Sequence, residues 1–124
     1  MDRQSMPQQD TANGTVLTLQ AHGFTAQLAT VGATLVSLDY GGRPLVRAFD
    51  PRGERPVFSG AILAPWPNRV IDGAYHWEGR ELQLGISEPE RGHALHGLVL
   101  DENFEITGRG PDFAQLRTVI APNP

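Results

Sequence analysis

Glycine or proline recurs so often in this chain that no stretch free of both exceeds ten residues. Fourteen glycines and ten prolines are spread over 124 residues, and the longest uninterrupted runs are 98–107 and 112–121. Inside a helix, proline removes a hydrogen bond and clashes with the preceding turn, and glycine costs about 1 kcal/mol relative to alanine. Long helices therefore have almost nowhere to form, and the texture between interruptions is β. Residues 15–21 set Leu17 and Leu19 against Thr18 and Gln20, and 24–30 alternate Phe24, Ala26 and Leu28 with Thr25 and Gln27. His22-Gly23 between them predicts a hairpin.

Further strands are expected at 31–40, 45–49, 74–77, 80–84, 104–106 and 115–120. Residues 31–40 carry apolar groups on both faces, as a strand buried between two layers would. Gly41-Gly42 and Glu78-Gly79 read as turns, and 50–56 (DPRGERP) as a polar loop. Short strands at close spacing with turn signals between them predict an all-β antiparallel sandwich or barrel. The length predicts one domain able to bury roughly two-thirds of its unfolded surface. Residues 1–14 read as a loose tail.

Composition excludes several chemistries. There is no cysteine, hence no disulfide, thiol nucleophile or thiolate metal site. All ten cationic side chains are arginine, so a Schiff-base lysine and a P-loop are excluded. A net charge of -4 with dispersed arginines argues against a nucleic-acid partner. No apolar run approaches the roughly 20 residues of a membrane helix, so the expectation is no membrane and a cytoplasmic protein. No G-x-S-x-G surrounds any of the four serines.

The stretch 64–97 holds three of the four histidines. Pro65 and Pro67 fix φ and remove two backbone donors, which places Trp66, Asn68 and Arg69 on a stiff loop. Gly92 and Gly97 bracket His93 and His96, again loop-like. Trp66 either stacks on the apolar face of a ligand or plugs the core. Asn68, between Pro67 and Arg69, reads first as a turn former. His93 and His96 form an H-x-x-H without an evident third ligand, so no metal is expected. Glu88 and Glu90 read as solvated carboxylates, and His76, between Tyr75 and Trp77 on the opposite face, as structural.

Taken in order, Asn68-Arg69, the I-D-G-x-Y-x-W-x-G-x-x-x-x-L hairpin at 71–84 and His96-Gly97 resemble the N-terminal portion of the aldose 1-epimerase (galactose mutarotase) family. The G-A-T-L-V-S-L at 32–38 sits where that family has a Gly-Ala strand. The resemblance implies that residues 15–124 are the N-terminal part of a galactose mutarotase-like antiparallel β-sandwich. It also implies an isomerase that interconverts the α and β anomers of free hexoses, galactose or glucose, by acid–base ring opening and without a cofactor.

Residue by residue, Arg69 and His96 match the family's sugar-contacting Arg and His, with His96 assisting catalysis and Asn68 and Trp66 completing the substrate-binding set. Leu98 stands where many members have a second glycine, and 64–67 replaces a more usual aromatic-Ala lead. The family's general-acid His, in a downstream Asn-His, and its general-base Glu have no counterpart here. The chain alone is therefore expected to be inactive, and an incomplete sandwich is expected to associate through unpaired strand edges and uncovered apolar surface. A hexose-6-phosphate 1-epimerase relative and a non-catalytic carbohydrate-binding module are the alternative readings.

Overall fold

The computed structural model describes residues 8–121. Contacts divide them into two units, one of residues 8–62 with 101–121 and one of residues 63–100. The first unit holds a five-stranded antiparallel meander in the order β1 (Gln8–Thr11), β2 (Gly14–Ala21), β3 (Phe24–Ala29), β4 (Thr34–Tyr40) and β5 (Arg43–Pro44). The turns are the ones the sequence marks. His22-Gly23 and Gly41-Gly42 each place two successive residues at positive φ, the backbone that two-residue hairpins need to follow the strands' right-handed twist.

Period-2 alternation sets the core. Val16 faces Ala29 across the β2–β3 ladder, and both are buried with Val36 in one cluster that Phe49 covers. Leu17, pointing to the other face, is also fully buried, so the start of β2 is covered on both sides. In the β3–β4 ladder Gln27 pairs with Ser37 and Leu28 with Leu35, which leaves Val36 as a bulge residue whose side chain enters the core. Asn13, buried in the β1–β2 turn, donates from Nδ2 to the carbonyls of Pro51 and Gly53 at 2.7 and 2.8 Å and so fastens the polar 50–56 loop. Later in the chain, Phe104 N donates to Thr30 O at 2.9 Å. The hairpin that follows pairs a later strand, Glu105–Arg109, with another, Ala114–Arg117.

The second unit is built from shorter pieces. β6 (Arg69–Val70) leads through a 3₁₀ turn at Ile71–Gly73 into β7 (Ala74–Trp77), which pairs with β8 (Arg80–Gln83) across Glu78-Gly79. β9 (Ala94–Leu95) pairs antiparallel with β6, Arg69 opposite Leu95 and Val70 opposite Ala94. The last hairpin strands of the first unit, Glu105–Arg109 and Ala114–Arg117, are then β10 and β11.

Several expectations need correction. Residues 8–14, read as part of a loose tail, are ordered: β1 pairs with β2 through Asn13, while residues 1–7 lie outside the described ones. No strand forms at 45–49, because Leu45 N donates the last ladder bond to Leu38 O and the chain then leaves the sheet to lay Phe49 on the core. β4 begins only at Thr34 and ends exposed at Tyr40; it buries Thr34 and Val36 fully, while Leu35, Ser37, Leu38 and Asp39 are half-buried, so it is not buried between two layers over the length expected. The last two strands run over different residues than expected, because a bulge at Thr107 and a turn closed by Gly110 N to Phe113 O reset their register. Arg69, expected in a loop, opens a strand. No helix among the described residues is long and apolar enough to cross a membrane.

Gly60 carries a contact that no other residue type could make. Its carbonyl accepts from Leu35 N at 3.0 Å, its φ is +66°, and a Cβ there would overlap the Leu35 carbonyl oxygen. Gly41, at φ +57°, has open space around the same position. Gly60→Ala should lower the unfolding free energy by about 2 kcal/mol or more, against about 1 kcal/mol for Gly41→Ala. Urea titrations of the two variants check this, and equal losses would contradict the close approach.

Candidate functional site

Two strands of two residues each create the candidate site in the second unit. The β6–β9 register places Asn68 opposite His96, one step beyond the last ladder pair. His96 N donates to Asn68 O at 2.8 Å, as a ladder would continue. The return bond is different: Asn68 N donates to the His96 imidazole Nδ1 at 2.9 Å. Both residues are left-handed, φ 65° at Asn68 and 59° at His96, a conformation in which Asn and His are enriched among non-glycine residues. The kink turns the His96 ring back onto the partner strand. Because Nδ1 accepts, the ring hydrogen of neutral His96 is assigned to Nε2.

Gly97 follows at φ +79°, and a Cβ on it would overlap the backbone of Ala64. Leu98 N donates to Ala64 O at 2.7 Å, so the His-Gly segment and the start of the Pro-rich segment run in direct contact. The Ala64-Pro65 peptide is cis. Trp66 is half-buried, and its Nε1 is buried without a hydrogen-bond partner among the described residues.

The same device recurs four residues along: Asp72 N, at φ 58°, donates to His93 Nδ1 at 3.0 Å. His93 is therefore a backbone acceptor. Among the described residues no three or more His, Asp or Glu side chains are grouped to hold a metal.

Arg69 is not an open guanidinium. Its Nε and Nη2 donate to Glu88 Oε1 and Oε2 at 2.7 and 2.9 Å, a bidentate pair, with Arg91 Nη1 3.8 Å from Oε2. The Glu88 side chain is only 12% exposed and that of Arg69 34%. The hydrogen bond from Arg69 holds the Glu88 carboxyl below its ordinary range against the opposing effect of burial, and the bond from Glu88 raises the Arg69 guanidinium in return. Glu88 reaches this position on a tight turn. Glu88 N donates to His93 O at 3.0 Å, Gly92 N to Glu88 O at 2.9 Å, and Leu95 N to Ser87 Oγ at 2.8 Å. β9 thus has β6 on one edge and Ser87-Glu88 on the other.

The structure therefore brings Asn68, Arg69 and His96 together, with Trp66 two residues upstream. Glu88, read from the sequence as solvated, is a correction. The signal for it was the E-P-E-R-G-H turn itself, since Pro89 and Gly92 close a hairpin that sets Glu88 opposite His93. Glu90 is exposed, as expected. His76 lies on the exposed β7–β8 hairpin, 74% exposed and 3.9 Å from its cross-strand neighbour Glu81, away from the Asn68–His96 pair in the ladder.

The solved structures similar to this one share its fold. A provisionally assigned aldose 1-epimerase of Escherichia coli K12 superposes with a TM-score of 0.71 at 24% identity, over 85% of this chain and 38% of that one. A galactose mutarotase-like protein of Clostridium acetobutylicum gives 0.72 at 20% identity, over 91% and 37%. The fold is thus the all-β, antiparallel one of the galactose mutarotase-like type that the sequence resemblance implied. Among sequences, the uncharacterized protein YihR of Escherichia coli K12 is 36% identical over 111 residues, 90% of this chain and 36% of that protein. The bifunctional protein GAL10 of Kluyveromyces lactis is 33% identical over 78 residues, 59% of this chain and 11% of that protein. The chain thus spans little more than a third of the length of YihR and of the two solved structures. The sequence model of the family described as aldose 1-epimerase matches residues 15–124, and the chain belongs to that family.

Proposed function

We propose that this chain forms part of the sugar site of an aldose 1-epimerase that interconverts the α and β anomers of free hexoses such as galactose or glucose. The observation that supports this most is the Asn68–His96 pairing, which sets the two family motifs, Asn-Arg and His-Gly, side by side although 28 residues separate them. Mutarotation needs a base to take the proton of the C1 hydroxyl and an acid to protonate the ring oxygen. The C1–O5 bond then opens, and reclosure on the other face gives the second anomer. His96, with its hydrogen on Nε2, is suited to donate to a sugar oxygen, and Arg69 keeps Nη1 donors beyond those used by Glu88. Asn68 acts through its backbone, fixing the His96 ring. Trp66 offers a flat apolar surface in the same loop.

Neither group is the acid–base pair of the reaction. By the family resemblance, the general-acid His and general-base Glu have no counterpart among these 124 residues, and the role read here is sugar binding. The two arginines of the site both face Glu88, which favours a neutral hexose over a phosphosugar.

Polarimetry of α-galactose with the purified 124-residue chain should follow the buffer blank. A protein-dependent acceleration abolished by His96→Ala would show that this chain supplies its own acid or base. Hexose binding should nevertheless be measurable by NMR titration. His96→Ala and Arg69→Ala should each weaken it about tenfold, the equivalent of one hydrogen bond with a charged or strongly polar donor. His76→Ala, on the exposed hairpin, should leave it unchanged. The reverse order of effects would move the site to that hairpin.

A further inference from the structure

Glu88 lies outside the Asn-Arg and His-Gly motifs, yet its carboxylate is the better buried partner of the Arg69 pair and stands on the most heavily bonded turn of the second unit. We infer that Glu88 is a positioning residue of the sugar site: its carboxylate fixes the plane of the Arg69 guanidinium and leaves the Nη1 edge as the one that meets substrate hydroxyls. This rests on the reading of Arg69 as a sugar ligand.

Arginine has a long side chain with many rotamers, and its strand here is only two residues long. Left alone, the guanidinium would lose much of its binding energy to ordering. Two parallel N–H···O bonds at 2.7 and 2.9 Å remove that freedom, because Nε and Nη2 define the guanidinium plane. They also decide which donors remain. Nη1 has no hydrogen-bond partner among the described residues, so the edge away from Glu88 carries the available N–H groups.

Glu88 can impose this orientation because it is itself held. Its backbone pairs with His93, its turn is closed by Gly92, and Ser87 beside it bonds the Leu95 backbone opposite Arg69. The carboxylate therefore arrives from the far edge of β9 while the guanidinium arrives from β6, and the salt bridge spans the strand that leads into His96. Orientation of Arg69 and placement of His96 are set by the same three-stranded arrangement. Arg91, 3.8 Å away, balances the charge of Glu88 without occupying the Nε–Nη2 fork.

The test uses the 124-residue chain, galactose as the probe, and Glu88→Gln, Arg69→Ala and Glu90→Gln variants. Two readouts are taken by NMR on uniformly ¹⁵N-labelled protein: the Arg69 Nε–Hε resonance and the Kd for galactose. For Glu88→Gln, a nearly isosteric change, the expected result is a retained amide spectrum, an Arg69 Nε–Hε signal shifted and broadened from its salt-bridged position, and a Kd raised about tenfold. Glu90→Gln should move neither readout. Galactose binding that is lost in Arg69→Ala but unchanged in Glu88→Gln would overturn the positioning role while leaving the sugar site standing. Parent protein whose Arg69 signal is salt-bridged but which binds no galactose would overturn the sugar-site reading and this inference with it. If Glu88→Gln loses its dispersed amide spectrum, Glu88→Asp takes its place, and a folded Glu88→Asp with parental Kd and a displaced Arg69 signal would likewise overturn the inference.

Discussion

A strand of two residues makes too few ladder bonds to hold itself in place, and β6 and β9 are both that short. What keeps them paired is the replacement of missing carbonyl acceptors by imidazole nitrogens. At one end of the pair Asn68 N reaches His96 Nδ1, and just beyond the other Asp72 N reaches His93 Nδ1. Both donors sit at left-handed residues, where the chain has already left regular strand geometry and its amides would otherwise lack partners. The Asn-Arg and His-Gly segments meet through the Asn68–His96 Nδ1 bond together with the backbone bonds from His96 N to Asn68 O and from Leu98 N to Ala64 O. His96 is thus the residue that closes this pairing, through its ring Nδ1.

The carboxylate–guanidinium pair adds the second axis. Glu88 and Arg69 reach across β9 from opposite sides, so their salt bridge ties the Ser87-Glu88 edge to β6 over the strand that leads into His96. A hexose is neutral and presents hydroxyls as both donors and acceptors. A site for it needs oriented donors more than net charge, and under the proposed role a guanidinium whose charge is already answered by a carboxylate would supply them.

Much of the fold was legible in the sequence because it is local. The His22-Gly23, Gly41-Gly42 and Glu78-Gly79 hairpins follow from two-residue turns flanked by alternating side chains, and each formed where its turn residues stand. What escaped was decided by distant partners. β6 and β9 are too short to show a period and are defined only by each other. Residues 45–49 read as a short strand, yet Phe49 is drawn onto the Val16–Ala29–Val36 cluster. Polar Gln8 and Gln9 gave no strand signal, and β1 exists because β2 offers an open edge and Asn13 secures the turn. In the site, Arg69 and His96 were visible through family resemblance. Glu88 was not, since a carboxylate in a Pro-Gly turn reads as solvated until its cross-strand neighbour is known.

The pairing of the two segments turns on one hydrogen bond, from the Asn68 amide to His96 Nδ1, and that bond can be observed directly. An N–H···N hydrogen bond carries a scalar coupling between its two nitrogens, measurable on ¹⁵N-labelled protein. The predicted result is a correlation between the Asn68 amide nitrogen and His96 Nδ1, with the ring hydrogen of His96 on Nε2. Absence of that correlation in folded protein, with the ring hydrogen found on Nδ1, would contradict the arrangement from which the site is built.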